Sequence, residues 1–394
     1  MGSVGILESM QQFPKGFLWG ASTSAMQVEG GIENNDWAEA VRQGLAPTIG
    51  LACNHYHRYE EDFDSAKSLN HTAHRFSIEW ARVEPEEGKF DSAELEHYKN
   101  VVKSLRARGM EPFVTVWHFS LPLWFVKSGS FGRKDAPAIF ARYAAKVAEV
   151  FGDQVTFYMT MNEPLVWLGE HGKILNAAPG FGNPVKALRY FTQLVRAHHA
   201  AYVALKAVVP HAKVGVAKHQ FSVVATNPLG AVVAHVFRFL WNRHFLNAIR
   251  HHQDFIGIQY YQRLFFWQSK KESESAEKSD IGWQLHPSAI YDTLKEASRY
   301  GVPLYVTEAG IADRRDQRRA WYIEETIAGI RHAVDEGVDV RGFFYWSLLD
   351  NYEFKEGFSM RFGLVHVEHA GSLIRTIRDS ARAYAEIITT SRGE

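Results

Sequence analysis

RARGMEPFVTV, residues 106–116, decides the fold. A basic helical end runs into Gly109, the residue most able to take the left-handed turn that stops a helix. Straight after it comes PFVTV, rich in the β-branched and aromatic residues that suit a buried strand. The same helix, glycine stop and strand recur as ASRYGVPLYVTEAG (297–310) and AVDEGVDVRGFFYW (333–346). Strand candidates read outward from these lie at 16–22, 72–78, 111–118, 155–161, 213–219, 255–261, 303–309 and 341–348. Amphipathic stretches with apolar residues three and four apart fill the gaps, at 92–109, 136–152, 186–209 and 318–337 among others. Eight strand–helix units predict an α/β chain folded as one (β/α)8 TIM barrel, a single domain over 1–394. The alternative is a doubly wound open sheet. No glycine-rich phosphate loop follows the first strand, which counts against it.

The composition is that of a globular protein, with 46% apolar and 22% charged residues in 394. Lys plus Arg and Asp plus Glu each number 44. No basic balance points to nucleic acid or to an anionic membrane as partner. One cysteine, Cys53, forbids an internal disulfide and fits a reducing, cytoplasmic setting as a small buried residue. The N-terminal residues show no charged region followed by an apolar one, so no signal peptide is read there. No apolar run is long enough to span a bilayer. The polar run QSKKESESAEKSD (268–280) reads as a solvated, partly disordered loop.

A barrel keeps its active site at the C-terminal ends of its strands. Gln27, Arg75, His118, Asn162, Glu163, Gln259, Tyr261, Glu308, Trp346 and Glu353 fall at or near those ends. The stretch FYMTMNEP (157–164) poses the chemical question, because a core strand there ends on a glutamate. A carboxylate beside a core is costly unless it is paired or has a task. YVTEAG (305–310) repeats the arrangement. Two carboxyls across a pocket are what glycoside cleavage needs, one protonated and one ionised. The competing view makes each a structural acid, paired with Arg75 or a helix terminus.

The ordered motifs FPKGFLWGASTSAMQVEG (13–30), HRFSIEWARVEPEEG (74–88), HFSLP (118–122), TMNEP (160–164), DFIGIQYY (254–261), VTEAGIAD (306–313) and WSLLDNYEFKEGF (346–358) carry a resemblance. The chain resembles retaining β-glycosidases of glycoside hydrolase family 1 over nearly its whole length. The resemblance implies an exo-β-glycosidase acting on β-glucosides, and on β-galactosides or β-fucosides, through a covalent glycosyl-enzyme. It implies Glu163 as acid/base and Glu308 as nucleophile, with Arg75, Tyr261 and Gln259 supporting the nucleophile. Gln27, His118, Asn162, Glu353 and Phe354 would hold the sugar, and Trp346 would lie under its ring. It implies a cis peptide at Trp346–Ser347, a small-molecule β-glycoside as partner, and no cofactor or metal. On electrostatic grounds Glu308 should be lowered by Arg75 and Tyr261, and Glu163 raised by Glu308.

Several positions depart from the family pattern. Ala309 stands where Asn follows the nucleophile, Gln259 stands for the Asn of NYY, and Phe354 stands for Trp. Leu165 replaces the Trp after NEP, with Trp167 two residues on. The segments around 31–52 and between the fifth and sixth strands are short, which suggests an open aglycone side. Nineteen histidines include no HExxH or Cys/His metal framework, and no G-x-S-x-G elbow is present. A non-catalytic sugar-binding barrel and a transglycosidase remain as alternatives.

Overall fold

The computed structural model describes residues 13–392. The segment read for a leader therefore lies largely outside the described residues. Eight parallel strands close into a barrel in sequence order. They are β1 (Leu18–Ser22), β2 (Ala73–Ser77), β3 (Glu111–Trp117), β4 (Phe157–Asn162), β5 (Lys213–Ala225), β6 (Phe255–Phe266), β7 (Leu304–Ala309) and β8 (Val340–Trp346). Closure is direct, with Leu18–Ser22 of β1 paired to Gly342–Trp346 of β8. A small antiparallel pair, β9 (Val365–Val367) and β10 (Arg375–Ile377), follows, and then the helix Asp379–Arg392.

The expected helices form, over Ser92–Ala107, Ala136–Phe151, Pro184–Val208 and Arg319–Asp335. Each presents one apolar face to the barrel, as Leu105, Phe140, Leu194 and Ile327 show by their burial. Two expectations are corrected. β5 and β6 run on past the expected ends and stay paired from Ser222–Arg263 to Ala225–Phe266, forming an arm above the barrel mouth. The 268–280 stretch is not simply a loop, since Lys270–Ser275 is a helix. Its start is fixed by a capping box in which Ser269 and Glu272 satisfy each other's backbone N–H groups. That local signal outweighs the run's polarity.

The closed end of the barrel is plugged by aromatic rings. Phe113 stacks on Phe157 at 4.2 Å between centroids, and it meets Phe344 at 4.7 Å and Tyr305 at 5.2 Å. With Phe255 and Met159 these form an inner core separate from the outer helix–sheet core. The plug separates that end from the polar side chains gathered at the opposite mouth. Two irregularities then re-aim those side chains. On β4, Thr160 faces outward to His198, so strict alternation would also turn Asn162 outward. A register shift between Met159 and Asn162 points it inward instead. On β7, Leu304 and Val306 face the outer core, and shifts at Val306/Ala309 and at Ile258/Gln259 bring Glu308 to the inside.

Phe113→Ala removes the centre of the plug. It is expected to destabilise the protein by about 3–5 kcal/mol, read from the denaturant midpoint. A loss under about 1 kcal/mol would show that the rings are not the barrel's structural floor.

Candidate active site

The polar mouth of the barrel surrounds a cavity of about 490 Å³. Glu163, Glu308, Gln27, His118, Asn162, Tyr261, Trp346, Glu353 and Phe354 all line it. Arg75 and Gln259 stand behind the wall, where they touch its carboxylate and its amide.

Arg75 is fully buried at the centre of the barrel. Its Nε donates to Thr115 Oγ1 at 3.0 Å, one terminal nitrogen donates to Asn162 Oδ1 at 2.6 Å, and the other forms an ion pair with Glu308. Tyr261 donates its hydroxyl to the second Glu308 oxygen at 2.6 Å. Gln259 Nε2 donates to Asn162 Oδ1 at 2.8 Å. The glutamine thus reaches Asn162 in place of the family's usual Asn. A Cβ on Gly310 would lie 1.8 Å from the Trp346 carbonyl oxygen. Only glycine therefore lets the chain leave Glu308 so close to β8.

Glu163 is placed by its backbone. Its φ of 42° and ψ of 60° are left-handed, an uncommon conformation for a residue with a Cβ. Its N–H donates to Ala217 O on β5 at 2.8 Å, and Pro164 follows as the first residue of a short helix. Glu163 Oε1, Asn162 Nδ2 and His118 Nδ1 are buried without a hydrogen-bond partner among the described residues. All three residues line the cavity, so three groups with unspent bonding capacity meet there.

On the far wall, Gln27 Nε2 donates to Glu353 Oε2 at 3.2 Å and to the Tyr352 carbonyl at 2.9 Å. Trp346 Nε1 donates to the other Glu353 oxygen at 3.1 Å. The Trp346–Ser347 peptide is cis, as the resemblance implies. Phe354 packs against Trp37 at 4.6 Å and His171 at 4.5 Å, making that rim apolar.

The electrostatics correct one expectation. Burial pushes Glu308 above the ordinary carboxylate range, and Arg75, Tyr261 and Gln259 pull it only part of the way back. The expectation of a lowered Glu308 counted the partners and left out the cost of removing the carboxylate from water. The order of the two acids survives. Glu163 is pushed well up by burial and then by the Glu308 charge, with weaker relief from Lys218 and Arg75. Burial also drives His118 well down, which keeps it neutral, and Glu353 up to about 8.

Sequence reasoning missed the β5 side. Lys218 is fully buried and pulled down to about 7 by burial, with Glu163 and Glu296 drawing it back up. Its Nζ donates to the His219 carbonyl at 2.5 Å and lies 5.4 Å from the Trp241 ring centre. His219, Phe221, Trp241 and Trp283 line the cavity as well. Lys218 and His219 sit at the point where β5 passes the mouth, so a strand-end search of the fifth strand would have found both. Trp241 comes from a helical connection with no comparable signal. Trp167 lies in the core against Trp117 at 5.1 Å and does not replace the Trp that the family has after NEP. Ala309 is likewise buried in the outer core, away from the cavity.

Comparisons with known proteins identify the family and the fold. The model of glycosyl hydrolase family 1 matches residues 9–249 and 239–393. Beta-glucosidase A of Thermotoga maritima is 30% identical, covering 96% of this chain and 98% of that protein. The alignment runs over 442 positions, more than the 394 residues of the chain, so the relative carries segments that this chain lacks. A beta-galactosidase of Sulfolobus acidocaldarius is 31% identical over 98% of this chain and 96% of its own length. Among solved structures, a beta-glycosidase from Pyrococcus horikoshii superposes with a TM-score of 0.88 at 37% identity, covering 96% of this chain and 95% of that one. The Thermotoga maritima beta-glucosidase in complex with glucoimidazole gives 0.87 at 28% identity, covering 96% and 99%. A closed eight-stranded barrel, a carboxyl directly after β4 and another on β7, and a family match over almost all of its length place this chain in glycosyl hydrolase family 1.

Proposed function

We propose that the cavity cleaves β-glucosides, and β-galactosides or β-fucosides alongside them, with retention of anomeric configuration. One observation carries this reading: two buried carboxyls share one cavity but have opposite partners. Glu308 has a cation and a phenol on its two oxygens, whereas Glu163 keeps Oε1 free of any partner among the described residues.

In the first step Glu308 attacks the anomeric carbon. The bond to the leaving oxygen breaks as Glu163 passes its proton to that oxygen. Glu308 is then an ester and no longer negative. The repulsion that helped hold the Glu163 proton is gone, so Glu163 can accept a proton from water. That water attacks the same carbon and releases Glu308. Two inversions at one carbon give net retention. Arg75 and Tyr261 receive the negative charge when Glu308 leaves, and they are already in place. Asn162, whose Oδ1 is held by Arg75 and Gln259, offers its free Nδ2 to a sugar hydroxyl. His118 and Trp346, with rings 25° from parallel, offer a sugar-stacking wall. Gln27 and Glu353 serve the remaining hydroxyls, and Phe354 contributes an apolar contact with no N–H to donate. The buried, unpaired Cys53 supports a reducing, cytoplasmic setting.

Glu308→Ala is expected to lower turnover of an aryl β-glucoside by roughly 10⁴-fold or more. Azide should restore cleavage and give the α-glycosyl azide, because the small anion enters where Glu308 stood. Glu163→Ala should spare substrates with a good leaving group more than poor ones, and azide should give the β-product. The reverse pattern of products would exchange the two roles, and a fully active Glu308→Ala would end the proposal.

The pH profile of the intact enzyme should rise as Glu308 ionises and fall as Glu163 loses its proton. Both limbs should lie above ordinary carboxylate values, since burial raises both groups. Lys218→Met removes a positive charge that favours ionised Glu163. The descending limb should therefore move to higher pH, while the rising limb changes less. A descending limb that stays fixed would show that Lys218 does not act on the acid.

A further inference from the structure

Residues 228–249 form one helical connection, α over Pro228–Arg238, π over Phe239–Arg243 and α again over His244–Ile249. Its first part is apolar on both sides. Phe237 packs inward on Phe221 at 5.7 Å and on Phe266 at 5.7 Å, and Ala234 is buried beneath it. The outward side would be polar on an ordinary surface helix. Here it carries Leu229, Val232, Val236 and Leu240, at the three- and four-residue spacing of a single stripe. These four are between 50% and 64% exposed. Trp267, itself half exposed, lies beside the start of the stripe, against Gly230. At the other end the patch continues through Phe239, His244 and Phe191 toward exposed Leu188 and Val185 on helix Pro184–Val208. A contiguous exposed apolar band of this kind marks a docking surface.

Charge identifies what docks there. From residue 171 to residue 253 the sequence holds ten Lys and Arg and no Asp or Glu, in a chain whose two totals are equal. The acids nearest the patch come from other segments. Asp292 and Glu296 are paired to Arg263 and Arg243, and Glu272 and Glu274 sit beyond Trp267 beside Lys270 and Lys271. A second copy meeting this face through a two-fold axis would set cation against cation. Of the ten cations, Lys173, Lys206 and Arg243 are paired to Glu170, Asp254 and Glu296, and Lys218 is buried, whereas Lys186, Arg189 and Arg238 stand on the two helices that carry the band. An anionic bilayer offers apolar depth for the stripe and negative headgroups for these three cations. We propose that this face is a peripheral docking surface for an anionic lipid bilayer, with Leu229, Val232, Val236, Leu240 and Trp267 entering the headgroup layer. The face meets the barrel mouth at Trp241, which lines the cavity and contacts exposed Phe181. Docking would therefore bring the glycoside entrance to the lipid. The zero net charge, read as excluding an anionic membrane partner, averages away this segregation.

The experiment is flotation of the full chain with vesicles of phosphatidylcholine alone and of phosphatidylcholine mixed with phosphatidylglycerol, at low and high salt. Aryl-glucoside turnover and light scattering are measured in parallel. The chain should float with the anionic vesicles, less so at high salt, and weakly with the neutral ones. The combined variant Val232→Asp, Val236→Asp, Leu240→Asp should bind at least about tenfold more weakly and keep its turnover of the soluble substrate. Retained turnover certifies folding, and Trp267→Ser provides a second, milder variant on the same stripe. Absence of flotation at low salt, or equal flotation with both vesicle types and for all variants, would overturn the proposal. So would a dimer that the triple variant turns into a monomer, which would assign the face to a second copy. None of these readouts depends on which glycoside the cavity cleaves.

Discussion

The buried contact between Arg75 and Glu308 is the constraint around which the barrel mouth is arranged. A guanidinium with no solvent exposure has lost its hydration, and such a loss is tolerable only when every donor is used. Arg75 uses its donors on Thr115, Asn162 and Glu308, side chains from β3, β4 and β7. A single planar cation thus ties together three strands that are far apart in sequence. The aromatic floor formed by Phe113 and its neighbours closes the barrel beneath it, so the polar groups tied to Arg75 lie toward the open end.

The same constraint divides the labour between the two acids. Both are buried, and burial alone favours the protonated form of each. What separates them is company. Arg75 and Tyr261 are spent on Glu308, which leaves Glu163 with the charge of its neighbour and the more distant Lys218. The difference in affinity for protons comes from unequal counter-charges in one dry cavity rather than from a lowered nucleophile. Lys218 shows how finely such a balance is set, since it is itself pulled down to about 7 by the same burial.

Much of this was legible in the sequence, for identifiable reasons. Glycine stops before β-branched runs located β3, β7 and β8, and the remaining strands were read outward from them, because turn chemistry and buried pleats constrain residue type locally. Glu163 and Glu308 stood out because acids at the ends of core strands are costly. The inward turn of Asn162 and Glu308 could not be read, since strict alternation points both outward and only the register shifts reverse them. Trp241 was hidden because its place depends on how a helix lies over the β5–β6 arm, a tertiary matter. The 270–275 helix was passed over because a capping box is a four-residue signal inside a run that looks solvated as a whole. The basic, acid-free stretch from 171 to 253 was masked by a total that sums to zero.

The left-handed backbone at Glu163 has one more consequence. Most buried carboxylates are steered by the groups that bond to them, and moving them means breaking those bonds. Glu163 is aimed by its own φ and ψ, by Pro164 and by the bond from its N–H to Ala217, while Oε1 is tethered to nothing among the described residues. Its carboxyl can therefore swivel about a fixed Cα at the cost of a rotamer rather than of a hydrogen bond. One group can address a departing oxygen and then an arriving water, two partners that need not occupy the same point in space.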